Sequence, residues 1–294
     1  MFGKRADGKR IRQKDTVARM LPMFLNKRTT STNYFLYPQD ADKMDEFIAL
    51  KKSEGINYTY RDIMLAIMVR IFATRPKFNR FYVKDRLYQR NHIDVAMMVH
   101  KNLRQGDNEI IVKVRYNGYE SIAEIKEKFD NAVKSAIADE STSKSFGLMP
   151  TWFLRFSVAC LKFFDRRGWL SDKLMFKQSP FHCSIVFADL KSIHVDYVFH
   201  HLYEIGNCGF FCTLGKEKMQ AVVDEQTGEI VKKKVAHLGV SIDERPADGL
   251  YYSHMIKCVK RFTADLSYLE QPLQESEIFV PKDLKGKRWM RKAK

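Results

Sequence analysis

The stretch from Leu238 to Phe262 constrains this chain more than any other. Leu238, Val240 and Ile242 alternate with smaller or polar residues, the period of a strand with one buried face. Asp243-Glu244-Arg245-Pro246-Ala247 breaks the alternation, and Asp248-Gly249 then opens a helix that continues through Phe262. A strand that runs through a charged loop into an amphipathic helix belongs to a sheet with helices packed on it.

The rest of the chain supplies the other parts of such a sheet. Residues 33–37 read as a strand stopped by Pro38. Asp40 suits the N-cap of a helix carrying Met44, Phe47, Ile48 and Lys51, with Gly55 at its C-terminal cap. A second helix starts near Thr59, with Asp62 completing a capping box, and shows Ile63, Ile67 and Ile71 at helical spacing before Pro76. Phe81-Tyr82-Val83 and Leu87-Tyr88 flank Lys84-Asp85-Arg86 as a hairpin. Residues 93–99 and 110–114 read as strands, 121–138 as a helix, 141–145 as a low-complexity loop and 152–167 as an aromatic helix. From Cys183 to Ile242 the texture is β, with a turn at Thr227-Gly228. Strands and helices mixed without strict alternation predict an α/β fold with a mixed sheet in a single large domain.

The net charge is +16, yet most of it sits at the ends. Residues 1–14 carry +5 and residues 281–294 carry +6, leaving +5 for the body. The expected division is a basic arm over 1–28, a domain over 29–280 with an insertion around 141–178, and a basic tail over 281–294. Such ends read as solvated tails. No zinc-finger, basic-zipper or ribonucleoprotein pattern is present, so nucleic acid is not the expected partner. Five cysteines without a Cys-x-x-Cys point to a reducing cytoplasm. His182, Cys183, His194, Cys208 and Cys212 have spacings that fit no closed metal site, so no metal is expected. The start, Met-Phe-Gly-Lys-Arg, lacks the apolar core of a secretory signal, and no apolar run is long enough to span a bilayer.

Three stretches, in order, carry a family resemblance. The first is Arg75-Pro76-Lys77-Phe78-Asn79 with the 81–88 hairpin and Ile93-Asp94-Val95-Ala96. The second is Val186-Phe187-Ala188-Asp189-Leu190 followed by Thr213-Leu214-Gly215-Lys216. The third runs from Ala221 to Pro272 and contains the Asp243-to-Gly249 loop. Together they resemble the CoA-dependent acyltransferases: chloramphenicol acetyltransferase and the catalytic core of the dihydrolipoamide acyltransferases of 2-oxoacid dehydrogenase complexes. The basic arm and the altered loop are similar to a bacterial acyltransferase-like group. The resemblance implies a chloramphenicol-acetyltransferase-like sheet and a homotrimer with active sites between subunits. It also implies coenzyme A or acyl-CoA as a substrate rather than a tightly held cofactor. Because the similarity begins near the N-terminus, no lipoyl-type domain is expected.

In that family a histidine opens the His-x-x-x-Asp-Gly loop and takes a proton from the thiol or hydroxyl acceptor. Glu244 stands in its place here. A solvated carboxyl titrates about four units below a thiol and an imidazole about two, so glutamate is the weaker base. Asp248 and Gly249 match the motif, and the family's aspartate pairs with an arginine, for which Arg28, Lys27 and Arg245 compete. Where the family keeps a hydroxyl that stabilises the oxyanion, the alignment puts Ala188, and such a loss costs a factor of about 10² to 10³ in rate. His200 and His201 fall near the tunnel-lining region, and on a strand only one could enter the site. His201 and Glu244 are therefore the candidate catalytic pair. The alternative is an inactive acyltransferase-fold homotrimer that binds a ligand or acts as a scaffold. The aromatic helix over 152–167, interleaved with Arg155, Lys162, Arg166 and Arg167, also resembles a membrane-surface helix, though packing on its own domain is the commoner use.

Overall fold

The computed structural model describes residues 5–100, 109–138, 150–224 and 227–285. Ten strands and seven helices are described: β1 (Gly8–Ile11), α1 (Thr16–Phe24), β2 (Thr32–Asp40), α2 (Ala41–Ser53), α3 (Tyr60–Thr74), β3 (Arg80–Val83), β4 (Arg86–Arg90), β5 (Ile93–His100), β6 (Glu109–Tyr116), α4 (Ile122–Ala138), α5 (Thr151–Arg167), α6 (Asp172–Gln178), β7 (Ile185–Asp189), β8 (Phe210–Leu214), β9 (Lys218–Val223), β10 (Ile230–Asp243) and α7 (Gly249–Ala264). The main sheet runs β2-β10-β8-β7-β5-β6, with β9 paired to the first half of β10. Its β5–β7 and β7–β8 pairs are parallel and the others antiparallel. This is the mixed α/β sheet the sequence predicts.

Caps place the helices where local chemistry demands them. The Asp40 carboxylate accepts from the backbone of Asp42 and Lys43, and Gly55 beyond α2 takes a φ of +83°. Thr59 and Asp62 form the reciprocal capping box of α3. The spacing predicts a single apolar stripe on α3, whereas nearly all of it is buried, because it packs against β5 of the sheet and against both α4 and α7. Each isoleucine so buried contributes about 1.5–3 kcal/mol. The main core lies on this face, with Ile63, Ile67, Phe187, Leu214, Leu238 and Phe262 all nearly inaccessible.

Three expectations are corrected. Pro38 does not stop its strand: β2 continues to Asp40, with Pro38 opposite His237. Among the described residues β2 is an edge strand with one side unpaired, where a missing N–H costs no ladder bond. The alternation in β10 does not mean one buried face, since residues 235–243 are buried on both. β10 lies between β2 and β8, and a strap of residues 194–201 covers its second face. There a Cβ on Gly239 would lie 2.7 Å from both the Val198 carbonyl oxygen and Thr213 Oγ1.

The basic arm is not a free tail either. β1 pairs with β4 in a three-stranded sheet completed by β3, and Arg5 is buried against Asp7 (2.8 Å) and Asp165 (2.6 Å). A buried aspartate at position 7 needs that guanidinium, so the segment is tied down. At the other end Asp283 pairs with Arg80 at 2.8 Å and Leu284 is buried; residues 286–294 lie outside the described residues, as does the expected loop at 141–145.

Candidate functional site

β10 delivers Asp243, Glu244 and Arg245 to the point where the sheet ends and the chain turns toward α7. Asp243 is 2% exposed and Arg245 5%. Arg245 reaches back across Glu244: its Nε lies 2.8 Å from Asp243 Oδ1 and its Nη2 2.6 Å from Oδ2. Ser31 Oγ donates to the same carboxylate at 3.1 Å, and Arg28 Nε stands 3.9 Å away. Burial is the largest influence on both guanidiniums and disfavours their charge. At Arg245 the hydrogen bond and charge of Asp243 overturn it and raise the pKa, whereas at Arg28 burial prevails and lowers it.

Within this frame Glu244 is held at two points. Its backbone N–H donates to the Ser31 carbonyl at 3.0 Å, and its Oε2 accepts from Asn33 Nδ2 at 2.6 Å. The side chain is partly exposed. Tyr252, from the first turn of α7, donates its hydroxyl to the Asp243 carbonyl at 2.5 Å. Burial pushes the Tyr252 phenol well above its ordinary range, and Asp243, Glu244 and Asp248 nearby push the same way. Arg28 and Arg245, but not Glu244, reach the wall of a cavity of about 540 Å³.

Asp248 takes a different role from the one the resemblance implies. Its carboxylate accepts from the Tyr251 N–H at 2.7 Å and caps α7, while Arg28 and Arg245 pair with Asp243 instead. The physical reason is position: Asp243 lies at the buried strand end and needs the charge, whereas Asp248 is exposed. Gly249 opens α7, with open space around its Cβ position.

Ala188 lies on the face away from the main core, packed against a small cluster that includes Ala96, Val186, Leu202 and Phe211. It is level with Thr213 and so with Gly239, which leaves Glu244 five residues further along β10, about 16 Å at the ordinary rise of a strand. One chain alone does not bring Ala188 and Glu244 together. The hydroxyl beside Ala188, that of Thr213, is already used, donating to the Val198 carbonyl at 2.7 Å.

His200 and His201 are in the irregular strap, not on a strand, so the expectation of opposite faces does not hold. His200 stacks on Phe211 at 4.1 Å, while His201 is exposed beside Tyr203. The histidines and cysteines once weighed as ligands are dispersed. Cys212 is in the main core, Cys183 and Cys208 are in the small cluster, and His182 bonds Ser179 at 2.6 Å and lies 3.2 Å from Asp165. Among the described residues no three such side chains gather for a metal. Sequence reasoning missed Asp243, Ser31 and Asn33. The Asp-x-Arg spacing at 243–245 was the one local signal for the first of these.

No family profile and no curated protein sequence matches the chain. Solved structures do. The cubic core of a pyruvate dehydrogenase multienzyme complex superposes with a TM-score of 0.54 at 15% identity, covering 86% of this chain and 88% of that one. The fold is that of the CoA-dependent acyltransferases. A probable dihydrolipoamide acetyltransferase from Listeria monocytogenes 4b F2365 is similar at TM-score 0.52 and 14% identity, over 86% of this chain and 93% of that one. The dihydrolipoamide acetyltransferase of Azotobacter vinelandii is similar at 0.53 and 14%, over 86% and 88%; a serine, a histidine and an asparagine were studied in its catalytic mechanism. Within this acyltransferase fold, Glu244 stands at the end of the strand leading into α7, and no described helix is long and apolar enough to cross a membrane.

Proposed function

We propose that this chain is an acyl-CoA-dependent acyltransferase of altered active site, with Glu244 as the base that receives the proton of a thiol or hydroxyl acceptor. The carrying observation is Glu244 itself, a partly exposed carboxylate fixed by Ser31 and Asn33 beside the buried Asp243–Arg245 pair. In the Azotobacter acetyltransferase the histidine and asparagine are four residues apart, the spacing of Glu244 and Asp248 here. Coenzyme A enters as substrate.

The separation of Ala188 from Glu244 within one chain supports a homotrimer whose sites lie between subunits, one contributing the carboxylate and its neighbour the wall around Ala188. Exposed Tyr34, 5.7 Å from Phe199, gives such a contact apolar surface. Sedimentation should return three times the 34.5 kDa of one chain; a monomer at all concentrations rules this assembly out.

The deciding experiment measures coenzyme A released from acetyl-CoA, separated chromatographically from the acceptor thiol that is consumed. Glu244→Gln should abolish it, and unchanged turnover removes Glu244 from the chemistry. A second reading, a homotrimer that binds acyl-CoA without turnover, is favoured by Ala188 and by the occupied hydroxyl of Thr213. It predicts calorimetric binding of acetyl-CoA with no thiol release by the unaltered protein.

A further inference from the structure

Helix α5 touches the body along one edge. Asp165 is its buried residue, held by Arg5 and beside His182. Trp152, Phe153, Phe156, Phe163 and Phe164 share one arc of the helix and are 39–69% exposed. α1 repeats the arrangement: Pro22 is buried, while Val17, Met20, Met23 and Phe24 are exposed. Apolar surface concentrated in this way marks an interaction site rather than ordinary surface scatter.

The two helices border one floor. Pro22 of α1 and Leu161 of α5 line the same cavity of about 540 Å³, and Val83 and Lys84 at the β3–β4 hairpin tip line both it and a neighbouring cavity of about 690 Å³. That floor carries an excess of cations: the first cavity sets Lys27, Arg28, Lys84, Lys162, Arg166 and Arg245 against Asp85, Asp165 and Glu204. The second cavity's lining holds Lys84, Arg86, Lys162, Arg166 and Arg167 with no acidic residue. A third cleft beside the tip adds Arg10, Arg12 and Arg19 against one carboxylate, Asp85. Among the described residues none of Arg10, Arg12, Arg19, Arg86, Lys162 and Arg166 meets a carboxylate. The Arg167 guanidinium lies 3.6 Å above the Phe163 ring, a cation at the rim of the aromatic face.

A second copy of the chain would bring the same positive charge to this face, and like charges oppose such a contact. A neutral apolar partner would strip water from the cations without matching them. An anionic bilayer surface satisfies both halves. Apolar and aromatic side chains enter the boundary of the acyl region, while Lys and Arg remain at headgroup level with their stems along the apolar layer. We propose that α1, α5 and the β3–β4 hairpin tip form a docking face for anionic lipid, attaching the protein peripherally. This does not depend on the acyl-transfer reading.

The test is flotation of the full-length protein with vesicles of phosphatidylcholine alone and of phosphatidylcholine mixed with phosphatidylserine. The protein should rise with the mixed vesicles and remain below with the neutral ones. Each cation near an anionic surface multiplies partitioning about fivefold, so Lys162→Gln with Arg166→Gln should lower it about 25-fold. Phe156→Glu with Phe163→Glu changes only exposed side chains and should abolish flotation while leaving the circular dichroism spectrum intact. Protein that stays below with both mixtures overturns the proposal, as does flotation that the Phe156/Phe163 pair of substitutions leaves unchanged. Self-association lost in that variant, without vesicle binding by the unaltered protein, gives the face to a second copy and equally overturns the lipid assignment.

Discussion

Arg245 and Asp243 close on each other around Glu244, with two guanidinium–carboxylate contacts of 2.8 and 2.6 Å in a nearly water-free setting. The loop at the strand end is therefore shaped by its flanking residues, and Glu244 is presented by them. Removing one member of a buried pair leaves an uncompensated charge, which typically costs about 3–5 kcal/mol.

Asp243→Asn leaves two guanidiniums, Arg245 and Arg28, without their carboxylate. Arg245→Met leaves that carboxylate with Arg28 and Ser31. Urea unfolding should show the larger loss for Asp243→Asn, in the range of about 3–5 kcal/mol. Equal losses would mean that Arg28 shares little of the pairing.

Acid should weaken the cluster that ties β1 to α5. Burial is the largest influence on Asp7 and opposes its ionisation, but the charge and hydrogen bonds of Arg5 hold the carboxyl below the ordinary range. Burial acts likewise on Asp165, overcome by the His182 hydrogen bond and by Arg5. Both folded pKa values lie below the unfolded value near 3.9, so in that interval the unfolded chain binds more protons. Their stabilisation is complete above about pH 4 and is lost as pH falls through the folded values. A urea-unfolding series from about pH 7 to about pH 3 should show this decline, and Asp7→Asn should be weaker at neutral pH with a shallower acid limb.

The helix starts were legible in the sequence because their chemistry is local: Asp40, Thr59 and Asp248 cap helices within three residues of themselves. The fold followed from the ordered match ending in the Asp-Gly loop, whereas the strand order is set by pairings between distant segments. The long-range pairings stayed hidden. Nothing near Asn33 announces a bond to Glu244, and nothing near Arg5 announces Asp165. Pro38 looked like a stop because an edge position is a property of the assembled sheet. Asp248 looked like the arginine's partner because burial, which selects Asp243 instead, is not written in the motif.

The strap over the sheet makes a steric prediction. Gly239 permits the approach of the Val198 carbonyl, which in turn accepts from Thr213. A Cβ there would meet backbone and a committed hydroxyl at 2.7 Å, so the strap must move. Gly239→Ala should destabilise the protein by about 1–3 kcal/mol and open residues 194–201 to limited proteolysis. Thr213→Val, which keeps the volume and loses the bonds to Val198, should increase cleavage with less effect on global stability. Cleavage unchanged in both variants would mean that the strap is held from elsewhere.

The two departures at the site can be reversed separately and together. Glu244→His supplies a base about two units closer to a thiol, and Ala188→Ser returns a hydroxyl to the proposed oxyanion position. If the two positions serve one reaction centre, Ala188→Ser in the Glu244→His background should raise thiol release from acetyl-CoA by about 10²-fold. Their separation along β10 requires that this centre join neighbouring subunits. Mixed oligomers of the two single variants should then recover part of the double variant's rate, because some interfaces combine His from one chain with Ser from the next. A double variant no faster than Glu244→His alone would take Ala188 out of the site, and recovery absent from mixed oligomers would require both groups to come from the same chain, against a centre shared between subunits.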